Sequence, residues 1–185
     1  MKRDAQATRK RILEAATAEF SRYGIAGARI DRIAAASGSN KSMIYVYFES
    51  KDKLLRLVTD ELLSRYSDNV PFDPSDLPEF AARLYDQNQA SPEAVRLLHW
   101  NRLERGEGGS EAVDARMSAI VKIGRLEQAQ RNGAVSDRLS APLLFEFILA
   151  LTQTGPERPT GAGLSADHAE RRQAIKDAVR QLTEP

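Results

Sequence analysis

The chain contains no cysteine, which excludes disulfides, thiolate metal sites and a cysteine nucleophile. Histidine is nearly as scarce. His99 and His168 are the two in 185 residues, too few for a histidine-rich metal centre. Long apolar runs are also missing. The most apolar stretch, residues 143–151, is interrupted by Glu146. Crossing a bilayer takes about 20 apolar residues, so no membrane partner is expected. The basic start, MKRDAQATRKR, has no apolar segment behind it, so no secretory signal is read and a cytoplasmic location is expected. The glycine-rich stretch GEGGS at 106–110 lacks the GK[ST] of a phosphate loop and reads as a plain connector. No nucleophile elbow or metal-ligand spacing appears. Neither an enzyme nor a cofactor is expected, although a helical enzyme or interaction domain remains the rival from another class.

What is present is charge, unevenly spread. The whole chain carries 27 basic and 26 acidic residues. Residues 1–56 hold 12 of the basic and 6 of the acidic ones, leaving the remainder net acidic. A small basic head on an acidic body fits a polyanion-binding module joined to something else.

Almost every segment reads as helix. Ile12, Ala15, Ala16, Phe20 and Tyr23 recur at spacings of three and four over residues 8–23, one apolar stripe closed by Gly24. Ile30, Ile33 and Ala34 mark a second, short helix. The turn Ser37-Gly38-Ser39-Asn40 follows, with Gly38 free to adopt a left-handed backbone. Asn40 is an N-cap for a third helix over 41–47, and Ser50 for a fourth reaching about residue 67. Val46 and its aromatic neighbours could pass for a strand, but the run lies between two helix-start signals. Three prolines within residues 69–78 end the fourth helix. Further helices are expected at about 78–90, 91–105, 110–132, 140–154 and 165–183, with a mobile glycine-rich loop at 155–163. The expected class is all-α: a small basic helical head at 1–50 and a larger helical body at 51–185.

Two short helices joined by a four-residue, glycine-containing turn make a helix-turn-helix. Ile30, Ile33, Ala34, Ile44 and Phe48 would point inward onto Phe20 and Ile12. Lys41, Ser42, Met43, Tyr45 and Val46 would point outward, a small and mildly basic face that suits a groove about 12 Å wide. Tyr45, Tyr47 and Lys51 flank it with phosphate-binding groups, which set position rather than sequence.

Residues 8–55, TRKRILEAATAEFSRYGIAGARIDRIAAASGSNKSMIYVYFESKDKLL, closely resemble the N-terminal domain of TetR-family transcriptional repressors. The resemblance implies that Lys41, Ser42, Met43 and Val46 face base edges of a double-stranded operator. It implies that Tyr45, Tyr47 and Lys51 hold phosphates, with Arg29 and the basic 9–11 segment adding backbone contacts. Three positions depart from the family pattern. Ala28-Arg29 replaces the usual capping Thr or Ser, Ser39 replaces a turn valine, and Val46 replaces a polar or aromatic residue. The family's mechanism would follow: two reading helices enter successive major grooves about 34 Å apart, and a body-bound effector tilts the fourth helix and spreads the heads.

The body is less specific. Leu143, Leu144, Phe145, Phe147, Ile148, Leu149 and Leu151 make a helix apolar nearly all round. Ala174, Ile175, Ala178, Val179 and Leu182 give the last helix a stripe. Two such helices per subunit would form a homodimeric four-helix bundle, with Leu144, Phe147, Ile148, Leu151, Ile175, Ala178, Val179 and Leu182 at the interface. Phe80, Leu84, Tyr85, His99, Trp100, Leu103, Met117, Ile120 and Val121 are candidates to line a pocket for a small apolar or cationic effector. A repressor of the same architecture without an effector is the alternative.

Overall fold

A computed structural model describes residues 2–68, 70–105, 111–153 and 167–185. Those residues form helices and no strand: α1 (Lys2–Gly27), α2 (Ile30–Ser37), α3 (Lys41–Phe48), α4 (Lys51–Asp68), α5 (Leu77–Ala90), α6 (Pro92–Arg105), α7 (Glu111–Arg131), α8 (Ala141–Thr152) and α9 (His168–Thr183). The all-α class holds. The two glycine-rich stretches at 106–110 and 155–163 lie outside the described residues. Packing divides the chain into two compact units, residues 1–65 with 92–114 and residues 66–91 with 115–185.

In the first unit, the α1 stripe Ile12, Leu13, Ala16 and Phe20 is buried together with Ile30, Ile33 and Ala34 of α2, Ile44 and Phe48 of α3, and Leu54, Leu55 and Val58 of α4. Apolar residues at helical spacing on four short elements share one core, and that burial, rather than propensity, holds helices as short as α2 and α3. The helix ends follow from local chemistry. Gly38 sits in the left-handed region (φ 63°, ψ 29°), and the Ser39 N–H turns back to the Ala34 carbonyl at 3.0 Å, stopping α2. The Asn40 side chain accepts from the Met43 N–H at 2.7 Å and starts α3. Ser50 Oγ accepts from the Lys53 N–H at 3.1 Å and starts α4. Between them Glu49 adopts φ 62°, ψ −44°, and Ser50 N–H reaches the Phe48 carbonyl at 2.6 Å. This is a tight three-residue turn, strained for a residue with a Cβ.

Two features of α1 differ from the sequence reading. It begins at Lys2, ahead of residue 8, and it does not stop at Gly24 but kinks there (φ 73°, ψ 177°). The kink leaves the Ile25 and Ala26 N–H groups without helical acceptors. The Glu104 carboxylate of α6 accepts both, at 2.9 and 2.7 Å. A Cβ on residue 24 would stand 2.6 Å from Glu104 Oε1 and 3.1 Å from the Trp100 ring. Glycine is therefore required both by backbone angle and by space.

In the second unit, Val70 and Phe72 of the proline-rich segment join Leu77, Phe80, Leu84, Tyr85, Leu126, Val135, Leu144, Phe145, Ile148, Ile175 and Val179 in one core. Phe72 meets Phe80 edge-on, with centroids 5.0 Å apart. The first-turn N–H groups of α5 and α9 are capped by Asp76 (3.1 Å from Glu79 N) and Asp167 (2.7 Å from Glu170 N). Buried Asn88 donates to the Thr152 carbonyl at 2.8 Å, fixing the end of α8 on α5. Charges also tie α5 to α9. Glu79 accepts from Lys176 at 2.8 Å and from Arg172 at 2.9 Å, while Arg172 reaches Asp86 at 2.9 Å.

The expected interface residues sort into two groups. Leu144, Ile148, Ile175 and Val179 are buried in the unit's own core, so their side chains are spent on packing within one chain. A helix apolar nearly all round has no contrast to mark its outer side. Leu151, Ala178 and Leu182 are half-buried. Phe147 is 45% exposed and Leu143, one turn earlier, 46%, so these two form the outward apolar edge of α8.

Candidate nucleic-acid interface

The eight residues of α3 divide cleanly. Ile44 and Phe48 are buried anchors. Lys41, Ser42, Met43, Tyr45 and Val46 are exposed, and Val46 reaches 80% exposure. A surface valine so fully exposed contributes almost nothing to the fold. Tyr47 is half-buried, its ring 6.1 Å from Phe48. Lys51, in the first turn of α4, is half-buried, and Arg29 is exposed ahead of α2. Six of the eight sequence-chosen residues are therefore on α3 itself, Lys51 opens α4 and Arg29 stands at the start of α2. Arg9 of α1 stands over the Phe48 ring at 5.6 Å.

Arg29 occupies the N-cap position of α2 without a side-chain cap. Glu19 of α1 binds the backbone of that position instead. Its Oε1 accepts from the Arg29 N–H at 2.8 Å and from Arg32 Nε at 2.8 Å. Glu19 is 8% exposed, and a buried carboxylate is stable when it is paired and hydrogen-bonded in this way. The Arg32 guanidinium in turn lies 4.1 Å from the Tyr23 ring centroid and is held above its ordinary pKa, chiefly by the hydrogen bond to Glu19. Glu19 thus satisfies the N-cap residue's own N–H, the half of a capping box that an acid at N3 would otherwise fill, and does not replace the acceptor that a Thr or Ser would offer to the first turn. The sequence carried one cue, an acid within the buried stripe of α1. Glu104 has its capping role at the α1 kink with no local cue at all.

In the same first turn of α2, Asp31 approaches Lys41 Nζ at 3.1 Å. The pair joins the first helical turn of α2 to that of α3, on either side of the connecting turn at 37–40, and raises the Lys41 pKa through the hydrogen bond and the opposite charge. Ser39 fares differently in that turn: its hydroxyl is buried and finds no hydrogen-bond partner among the described residues.

The nine proposed pocket residues are dispersed. Phe80, Leu84 and Tyr85 are core residues of the second unit. His99, Trp100 and Leu103 lie on α6 in the first unit, with Trp100 against Gly24 and Leu103 exposed. Met117, Ile120 and Val121 form an exposed apolar stripe on α7. Met117 and Val121 line an open groove of about 400 Å³ with Val70, Phe72, Lys122 and Arg125. A second groove, about 580 Å³ between α1 and α4, is edged by Arg9, Lys10, Glu14 and Glu61 and contains none of the nine. No group of three or more potential metal ligands occurs among the described residues, and no helix among them is long and apolar enough to cross a membrane.

Comparison with known proteins agrees with this arrangement. Residues 12–58 match the family model described as bacterial regulatory proteins, tetR family. Residues 76–181 match the one described as tetracyclin repressor-like, C-terminal domain. The HTH-type transcriptional repressor SCO4008 of Streptomyces coelicolor is 36% identical over 189 residues, covering 98% of this chain and 98% of its own. The HTH-type transcriptional repressor NicS of Pseudomonas putida is 30% identical over 158 residues, 80% of this chain and 74% of its own. Among solved structures, SCO4942 of Streptomyces coelicolor aligns with a TM-score of 0.84 at 32% identity, covering 95% of this chain and 98% of that one.

Proposed function

The chain belongs to the TetR family, a family of DNA-binding, dimeric transcriptional regulators, and from that premise we propose the following residue roles. Lys41, Ser42, Met43 and Val46 read base edges in the major groove. Tyr45, Tyr47, Lys51 and Arg29 hold the flanking phosphates. The observation that carries this reading is the outward presentation of five consecutive-turn residues on α3 while Ile44 and Phe48 lock the helix from below. Val46 and Met43 suit thymine methyl groups, and Ser42 and Lys41 suit base acceptors. The half-buried Lys51 and Tyr47 have restricted side chains, which favours fixed phosphate contacts over base selection.

The test is selection of bound duplexes from genomic fragments, followed by equilibrium binding across salt. Lys51→Ala is expected to weaken binding to all sequences alike and to reduce the slope of log affinity against log salt by about 0.9 per head. Lys41→Ala is expected to relax base discrimination. An unchanged slope for Lys51→Ala would remove its assigned role.

The dimer contact is proposed at the outward edge of α8, Leu143 and Phe147, with the half-buried Leu151, Ala178 and Leu182. Release by an effector is proposed at the α7 groove. Its volume of about 400 Å³ suits a small molecule. Met117, Val121 and Phe72 supply apolar walls, and the Arg125 guanidinium lies 5.4 Å from the Phe72 ring centroid. That lining favours an apolar ligand carrying a negative charge over the cationic compounds that the sequence allowed. Thermal-shift screening with apolar carboxylates, repeated with Arg125→Ala, tests it. Hits that survive Arg125→Ala would displace the ligand from this groove, and a screen without hits that also leaves DNA binding unaffected by any compound would favour the effector-free repressor.

A further inference from the structure

Among the described residues, cations of the first unit are held by carboxylates of the same unit: Arg32 by Glu19, Lys10 by Glu14, Lys53 by Glu49 and Lys41 by Asp31. The first pair is largely buried on its acid side and braces α1 against α2. The Asp31–Lys41 pair is different. Its side chains are 73% and 54% exposed, and ion pairs so open to solvent add little to stability. It therefore has no clear task in the fold, and it stands where the reading helix begins. Lys41 is the first residue of α3, and its ammonium lies 3.1 Å from Asp31 Oδ1 and 3.4 Å from Oδ2. Both oxygens of one carboxylate thus bias the direction of one otherwise flexible chain.

We propose that Asp31 is a specificity-determining residue: it aims the Lys41 ammonium at base acceptors and keeps it away from phosphates, so that binding to arbitrary DNA is suppressed. The inference rests on the reading of α3 as the DNA-contacting element. Sequence discrimination is a difference of affinities, and a residue that weakens the wrong complex raises it as surely as one that strengthens the right complex. A lysine free to swing reaches phosphates on any duplex and adds one counterion-release contact wherever the head lands. A lysine paired with Asp31 adds less, because the pair must first open. It contributes most where an acceptor such as guanine O6 or N7 lies along its preferred direction. Asp31 also sets a negative charge at the DNA face, which repels phosphates of every sequence alike.

The test is Asp31→Asn, which keeps size and removes charge, in the full-length protein, with binding measured on a selected operator and on random duplex across about 50 to 300 mM salt. Freed Lys41 is expected to steepen the random-duplex salt slope by up to about 0.9 per head, and to tighten random binding about two- to fivefold per head near 0.1 M salt, the range that the opening of an exposed pair allows. Operator affinity rises less, so the operator-to-random ratio falls. In a Lys41→Ala background the same substitution is expected to lose most of that gain. A melting temperature matching the wild type separates the effect from misfolding. Asp31→Asn with unchanged slope and ratio would overturn the proposal. So would a gain that persists in full without Lys41, because Asp31 would then act by its own charge and not by aiming the lysine. A wild-type protein that retards no duplex would instead refute the reading of α3 itself.

Discussion

The contact between α5 and α9 is open to a quantitative test through Glu79. Its carboxylate meets Lys176 at 2.8 Å, Arg172 at 2.9 Å and Arg83 at 3.3 Å. The Lys176 hydrogen bond, against an opposing contribution from desolvation and with help from Arg172, lowers its pKa from the ordinary 4.5 to about 2. A carboxylate whose folded pKa is depressed stabilises the fold above its unfolded value. That stabilisation is lost as pH falls from 4.5 towards 2. Each pKa unit corresponds to about 1.4 kcal/mol, so the shift sets a ceiling of about 3 kcal/mol. The side chain is 24% exposed, and solvent screening brings the realistic figure to about 1 to 2 kcal/mol. Glu79→Gln keeps the volume and the acceptor oxygen but removes the charge. For a chain of this length the loss corresponds to a Tm decrease of about 3 to 6 °C at neutral pH. The gap should stay constant down to about pH 5, shrink as pH falls through 4.5, and close only below about pH 2, where the folded wild type protonates the same group. Calorimetric or circular-dichroism melts at several pH values measure it. A gap of equal size at both ends of that range would refute the electrostatic account, and so would the absence of a gap at neutral pH.

Three further substitutions probe other joints. Gly24→Ala puts a Cβ 2.6 Å from Glu104 Oε1 at a φ of 73°, and is expected to cost about 1 to 3 kcal/mol in urea unfolding; a wild-type midpoint would show that the kink is not imposed by α6. Ser39→Val removes a buried hydroxyl without a partner and is expected to raise Tm by the equivalent of about 1 kcal/mol. A fall in Tm would mean that the hydroxyl is satisfied in solution. Phe147→Glu, on the outward edge of α8, is expected to shift sedimentation from dimer to monomer with helicity retained, whereas a persistent dimer would place the interface elsewhere.

Much of the head could be read from the sequence because its signals are local. Asn40, Ser50 and Gly38 act on backbone groups within five residues of themselves, and Ile30, Ile33, Ile44 and Phe48 declare their faces by spacing. What the sequence hid is long-range. Glu19 caps a helix ten residues further on, and Glu104 reaches back 78 and 79 residues to Ala26 and Ile25. No periodicity encodes such partners. The body was harder for the opposite reason. On α8 nearly every position is apolar, so the pattern could not separate Leu144 and Ile148, which face inward, from Leu143 and Phe147, which face outward. Phe80, Leu84 and Tyr85 were plausible pocket residues on composition alone, yet close packing against Phe72, Leu126 and Phe145 makes them core.

The account depends most on the outer surface of α3 meeting DNA, and Val46→Glu tests it directly. At 80% exposure the side chain touches almost nothing in the protein, so Tm should stay within about 1 °C of wild type. A carboxylate at that point would face phosphates and base acceptors, so fluorescence anisotropy on a selected operator should show binding reduced by at least about a hundredfold, a loss of roughly 2.7 kcal/mol. Wild-type affinity in a Val46→Glu protein would contradict the central claim.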